Sequence, residues 1–182
     1  MTHQIIYFIV YADDKKEARD KAGELLRHIV GEGTGFDYGT FFDEDSSVSG
    51  KSRWGNISAV VSVDSKEGKQ MIKGGMKATK EGFIEKIKKV KEMINFYSDE
   101  ELFEGEVIDI RNKILENLKE NKKLYIRSFR YYCDCLGQYI GTEIWIYDND
   151  GEGIRNNQDL KDVLNKWNMG KKVWIVPCDV HS

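Results

Sequence analysis

The stretch from Gln4 to Ala12 contains Ile5-Ile6-Tyr7-Phe8-Ile9-Val10 without a polar interruption. Successive side chains of a strand point to opposite faces, so a run of this kind has no face to give to water. It predicts an interior strand of a sheet, buried on both sides, rather than an edge. Asp14 and Glu17 then stand at capping-box spacing, and Ala18, Ala22, Leu25, Leu26 and Ile29 follow at helical intervals up to Gly31.

Gly31 to Gly35 predicts a turn. Phe36 to Asp43 and Asn56 to Val63 predict two strands flanking a long polar segment, 44–55, which holds Arg53 and Trp54. Long connections are where binding residues concentrate, so Arg53 and Trp54 are candidate contacts to a partner, a second copy of the chain included. Asp64 and Glu67 repeat the capping-box spacing at the head of a lysine-rich helix, in which Gly74-Gly75 predicts a weakened or kinked point. Beyond it Phe83, Ile87, Val90, Ile94 and Tyr97 predict one apolar stripe. Ser98 with Glu101 signals the start of a further helix, which Val107, Ile108, Ile110, Ile114, Leu115 and Leu118 carry on to near Asn121 and which is expected to pack antiparallel to the one before. Leu124 to Leu136 and Tyr139 to Tyr147 predict a hairpin turning at Gly137-Gln138. A short helix with Leu160, Val163, Leu164 and Trp167 and a last strand, Lys172 to Pro177, complete the chain. The order β-α-β-β-α-α-β-β-α-β predicts an α+β fold in a single domain, 1–182. Its sheet is expected to be mixed and largely antiparallel, with helices mainly on one face and a ferredoxin-like flavour.

With 182 residues the chain can bury one substantial core. The 28 Lys and Arg against 31 Asp and Glu leave no global field to select nucleic acid or an anionic membrane. The longest apolar run is far short of the roughly 20 residues that span a bilayer. Arg127 to Tyr132 interleaves arginine with aromatics, as readers of single-stranded RNA do, but lacks the RNA-recognition consensus. Three cysteines and no leader-like start fit a reducing, cytoplasmic setting better than a disulfide framework.

Two clusters are candidate metal sites. Cys133 and Cys135 would share one face of a strand, and a neighbouring last strand could add Cys178 and His181 to make a Cys3His zinc site. The spacings C-x-C and C-x-x-H are not those of a zinc signature, and free cysteine is commonly a small buried hydrophobe. Asp148, Asp150, Glu152, Gly153 and Asp159 fall at the first, third, fifth, sixth and twelfth places of an EF-hand-like loop and are candidates for Ca or Mg. A strand precedes that loop where a helix would be required, Arg155 takes the apolar eighth place, and Asp-Asn-Gly turns also form without metal. Ser49-Gly50-Lys51-Ser52 lacks the leading glycine and the following helix of a P-loop, and no G-x-S-x-G elbow occurs.

Arg53-Trp54-Gly55, 64–76, 129–138, and above all 148–155 running into Val163-Leu164-Asn165-Lys166-Trp167 and Val173-Trp174-Ile175-Val176-Pro177, resemble an uncharacterised archaeal protein family. The resemblance runs nearly end to end; it implies a small intracellular archaeal protein and carries over no functional residues. The chain thus reads as a small cytoplasmic binding or regulatory module without a recognisable catalytic motif. The alternative is a small metal-dependent, hydrolase-type enzyme, or a zinc-stabilised protein, built on the Cys/His or the Asp/Glu cluster.

Overall fold

The computed structural model describes residues 3–31, 35–42, 54–55, 57–104, 129, 132–134, 136, 144–166 and 170–181. The chain forms two compact units, Met1–Glu81 with Gly141–Ser182, and Gly82–Ile140.

The first unit is organised by β1 (His3–Ala12). Ile6, Phe8, Val10 and Ala12 point to one face and Ile5, Tyr7 and Ile9 to the other, all buried, as an apolar run without alternation demands. Full burial of each large apolar side chain contributes about 1.5–3 kcal/mol. β5 (Lys172–His181) pairs antiparallel with β1 along its whole length, from His3↔His181 to Ala12↔Lys172. On its other side β5 pairs antiparallel with two short strands, β2 (Tyr38–Phe41) at positions 178–181 and β3 (Val61–Ser62) at 174–175. β4 (Ile144–Tyr147) runs parallel to β1, giving the order β2-β5-β1-β4 in a five-stranded, mostly antiparallel mixed sheet. The fold is α+β.

Pro177, the only proline, falls in the interval between the β2 and β3 pairings. A residue without an N–H is tolerated where a ladder is interrupted. β5 therefore continues through it to His181, beyond the expected end of the strand.

α1 (Lys15–Ile29) covers one face through Ala18, Ala22 and Leu26. On the other face lie Met71, Ile72 and Met76 of α2 (Lys66–Phe96), with Leu160, Val163 and Leu164 of α4 (Asn157–Asn165). α2 is continuous through Gly74-Gly75, against the expected kink. An added Cβ at Gly75 would stand 2.6 Å from Ile146 Cδ1, so the missing side chain lets the helix lie directly on β4. In the second unit Val90 and Met93 are buried whereas Ile94 is 50% exposed, which turns the apolar stripe away from the expected line. α3 (Asp99–Glu104) starts on the expected capping box, with Ser98 N donating to Glu101 Oε2 at 2.9 Å and Glu101 N to Ser98 Oγ at 3.3 Å. The expected continuation of this helix over 107–118 lies outside the described residues.

One element differs outright. Phe129, Tyr132, Cys133, Asp134 and Leu136 are helical, so the strand expected over 124–136 is absent at every one of its described positions. Aromatic and β-branched content favours strands only where the side chains find a pleated surface to pack on, and tertiary context overrides it.

Candidate ligand-binding cleft

The start of α1 is set by Asp14, whose side chain accepts from Glu17 N at 2.9 Å, while Glu17 Oε2 accepts from Asp13 N at 2.7 Å. Glu17 also binds Lys21 at 3.0 Å and Lys171 at 3.4 Å. The Asp13 amide first, then Lys21 and Lys171, hold its carboxyl down at about 2. Glu17 thereby engages two lysines, yet among the described residues Lys15 and Lys16 have no ion-pair partner. One turn on, Arg19 Cζ lies 3.4 Å over the centroid of the Phe41 ring, a cation–π contact that fixes the guanidinium.

The facing residues come from the β3–α2 connection. Ser65 Oγ donates to Ser62 O at 2.7 Å and accepts from Gly68 N at 2.9 Å, so Ser65 caps α2 one residue later than the Asp64 expected to do so. Glu67, released from a capping box, accepts from Ser58 N at 3.0 Å on Oε1 and from Ser58 Oγ at 2.9 Å on Oε2. Lys15, Lys16 and Arg19 together with 58–62, Ser65, Glu67 and Trp174 line a cleft of about 580 Å³, within the roughly 300–1,000 Å³ range of small-molecule sites. Trp174 Nε1 donates to Ala12 O at 3.1 Å, so the indole N–H is already used.

The cysteine–histidine cluster does not assemble as expected. Cys133 is exposed on a helical segment, and Cys135 lies outside the described residues. Cys178 shares the α1 face of β5 with Trp174, Val176 and Val180, whereas His181, three residues on, projects from the opposite face. Burial first, with the Asp179 charge adding, pushes the Cys178 thiol up to about 12, so it resists forming the thiolate that zinc requires. The EF-hand-like loop satisfies itself: Asp148 Oδ1 accepts from Asp150 N and Glu152 N, both at 2.9 Å, and Asn149 Oδ1 accepts from Tyr11 N at 3.2 Å. Asp159 binds Arg155 N and Nε at 3.0 and 3.2 Å; burial raises its pKa, and these bonds outweigh that to hold the carboxyl below its ordinary value. Among the described residues no three His, Cys, Asp or Glu side chains come together to hold a metal ion.

Trp54 and His181, singled out for different reasons, are linked through Asp179 and His3 at one end of the sheet. Trp54 Nε1 donates to Asp179 Oδ1 at 3.1 Å, and His3 Nδ1 lies 3.2 Å from Asp179 Oδ2. An ionised carboxylate only accepts, so this bond puts the imidazole proton on Nδ1. His181 stacks on Tyr38 with centroids 4.8 Å apart, its Nδ1 being 3.4 Å from Asp37 Oδ2. Trp54 is half-buried against the core, and Arg53 lies outside the described residues. Replacing Trp54 by Phe keeps an aromatic ring but deletes the bond to Asp179 and part of the indole's packing, and should cost at least about 1 kcal/mol in chemical denaturation. An unchanged midpoint would mean the indole merely rests there.

The residues of the cleft were not singled out from sequence, although one signal was present. Helix first turns favour acidic side chains, because the macrodipole is positive there, and Lys15-Lys16 breaks that rule. Violations of a local rule mark sites where function has been favoured over stability.

The fold and this cleft define a mixed α+β protein with a basic recess beside its central sheet. The family model described as "Domain of unknown function (DUF7995)" matches residues 2–118 and 103–182, and the chain belongs to that family. No curated protein and no solved structure matches it. Among the described residues no helix is long and apolar enough to cross a membrane.

Proposed function

We propose that the chain, taken as one domain over 1–182, is a binding module that holds a small anionic ligand in the cleft beside α1. The observation that carries this reading is the pair Lys15 and Lys16, set where the helix dipole disfavours cations and left without carboxylate partners among the described residues. An oxyanion seated between them would relieve that repulsion. The unpaired thiols Cys133 and Cys178 support a reducing, cytoplasmic setting, and the resemblance noted above supports an archaeal source. Among the described residues the metal-dependent alternative gains no supporting ligand set.

Thermal unfolding at constant ionic strength tests the reading. Oxyanions should raise the melting temperature in a concentration-dependent way that chloride does not reproduce, since a ligand at a hundred times its Kd stabilises by about 2.7 kcal/mol. In the double variant Lys15→Ala/Lys16→Ala the affinity should fall at least tenfold with the unliganded melting temperature maintained. Equal stabilisation by chloride would reject the site.

A further inference from the structure

We infer that His3 and His181 form a chelating pair for a divalent transition-metal ion of the zinc class. The pair lies at the far end of β5 from Trp174, does not depend on the cleft, and keeps only His181 of the expected cysteine–histidine set. His3 and His181 stand directly opposite one another in the antiparallel β1–β5 pair, so both project from the same face, with Cβ atoms about 4.5–5.5 Å apart. Their ring centres are 5.0 Å apart. Zinc bonds an imidazole nitrogen at about 2.0–2.1 Å, which puts each ring centre about 3.2 Å from the metal, and two such rings at a tetrahedral angle have centres about 5 Å apart. The strands therefore hold the pair at chelating separation before any ion arrives.

The state of His181 is an independent observation that points the same way. It is 5% exposed, yet neither Nδ1 nor Nε2 makes a hydrogen bond, whereas buried polar groups ordinarily find partners. Tyr38, stacked on the ring at 4.8 Å, holds its orientation, and Asp37 Oδ2 lies 3.4 Å from Nδ1. Nε2 is left unused. His3 is arranged alike: its Nδ1 is committed to Asp179, which Trp54 fixes in turn, and its Nε2 makes no hydrogen bond among the described residues. Metal-binding histidines have this form, with a carboxylate on one ring nitrogen fixing the tautomer while the other nitrogen meets the ion. The side chain of His3 is 19% exposed and gives the ion its approach from solvent. Imidazole donors suit zinc, nickel and copper, whereas magnesium and calcium take oxygen. No third His, Cys, Asp or Glu completes a set among the described residues, so water would fill the remaining positions.

Isothermal titration of the full chain with zinc chloride and with magnesium chloride tests this, in a background of Cys133→Ser and Cys135→Ser so that neither thiol competes. Zinc should bind one-to-one and at least a hundredfold tighter than magnesium, and should raise the melting temperature, since the site exists only where β1 and β5 are paired. His3→Asn and His181→Asn should each weaken zinc at least tenfold, and the double variant little further, because the chelate is lost with either ring. His28→Asn, at an exposed position on α1, should leave the affinity unchanged. Melting temperatures without zinc report whether each variant folds, and His3→Asn, at the more exposed position, decides if His181→Asn does not. Zinc affinity that survives His3→Asn overturns the pair. So does zinc binding no tighter than magnesium, or a loss with His28→Asn equal to that with His3→Asn.

Discussion

Gly68→Ala is expected to destabilise the protein by about 3 kcal/mol, at the upper end of what overpacking costs, although alanine is the better helix former. A Cβ at this position would stand 2.2 Å from Ser62 O and 3.0 Å from Val63 Cα. Both are backbone atoms, and both are pinned. Ser62 pairs with Trp174 in the sheet, its carbonyl accepts from Ser65 N at 3.1 Å and Ser65 Oγ at 2.7 Å, and Val63 N donates to Val173 O at 3.1 Å. Relief requires α2 to lift away from β3, which also pulls Glu67 from Ser58 and opens the cleft. Urea denaturation should show a lower midpoint at an unchanged slope, accompanied by loss of anion binding. A midpoint equal to that of the unsubstituted chain would show that the turn yields without cost.

Neighbouring glycines on α2 should respond to the same substitution with opposite signs. At Gly75 an added Cβ meets Ile146 Cδ1 at 2.6 Å and Cγ1 at 2.9 Å, and Ile146 is only 3% exposed, so it has little room to retreat. Gly75→Ala should therefore destabilise by about 1–3 kcal/mol. At Gly74 nothing lies within 4 Å, so Gly74→Ala should stabilise by about 0.5–1 kcal/mol through helix propensity alone. Denaturation of the two single variants in parallel supplies the test. Shifts of the same sign would contradict the close helix-to-strand contact.

β1 and α1 were legible because each is dictated by a local pattern: an apolar run with no face for water, and a cap followed by a helical period. The double glycine was misleading, since a glycine pair signals either a weak point or a close approach, and only the position of Ile146 decides between them. The final strand was expected over Lys172 to Pro177, yet it runs on to His181. Once it is extended to His181, strand alternation alone separates Cys178 from His181 and undoes the shared zinc site. Trp54 was legible as unusual but not as an anchor, because its partner Asp179 is distant in sequence. The contact between Glu67 and Ser58 depends on the path of the chain after β3, and no periodicity encodes it. Lys15-Lys16 was the readable part of the cleft, as a departure from the charge rule for helix starts.

The partnership of β1 with β5 also constrains how the molecule is made. His3 and Asp179, in contact across the two strands, are 176 residues apart in sequence, and such non-local pairings slow folding because the loop must close before they form. On the ribosome β1 emerges early, apolar on both faces, and waits for β5 through the synthesis of everything between them. The contiguous unit Gly82–Ile140 emerges complete during that wait, whereas the sheet-containing unit cannot close. β1 is therefore the strand whose two apolar faces stay uncovered longest while translation proceeds.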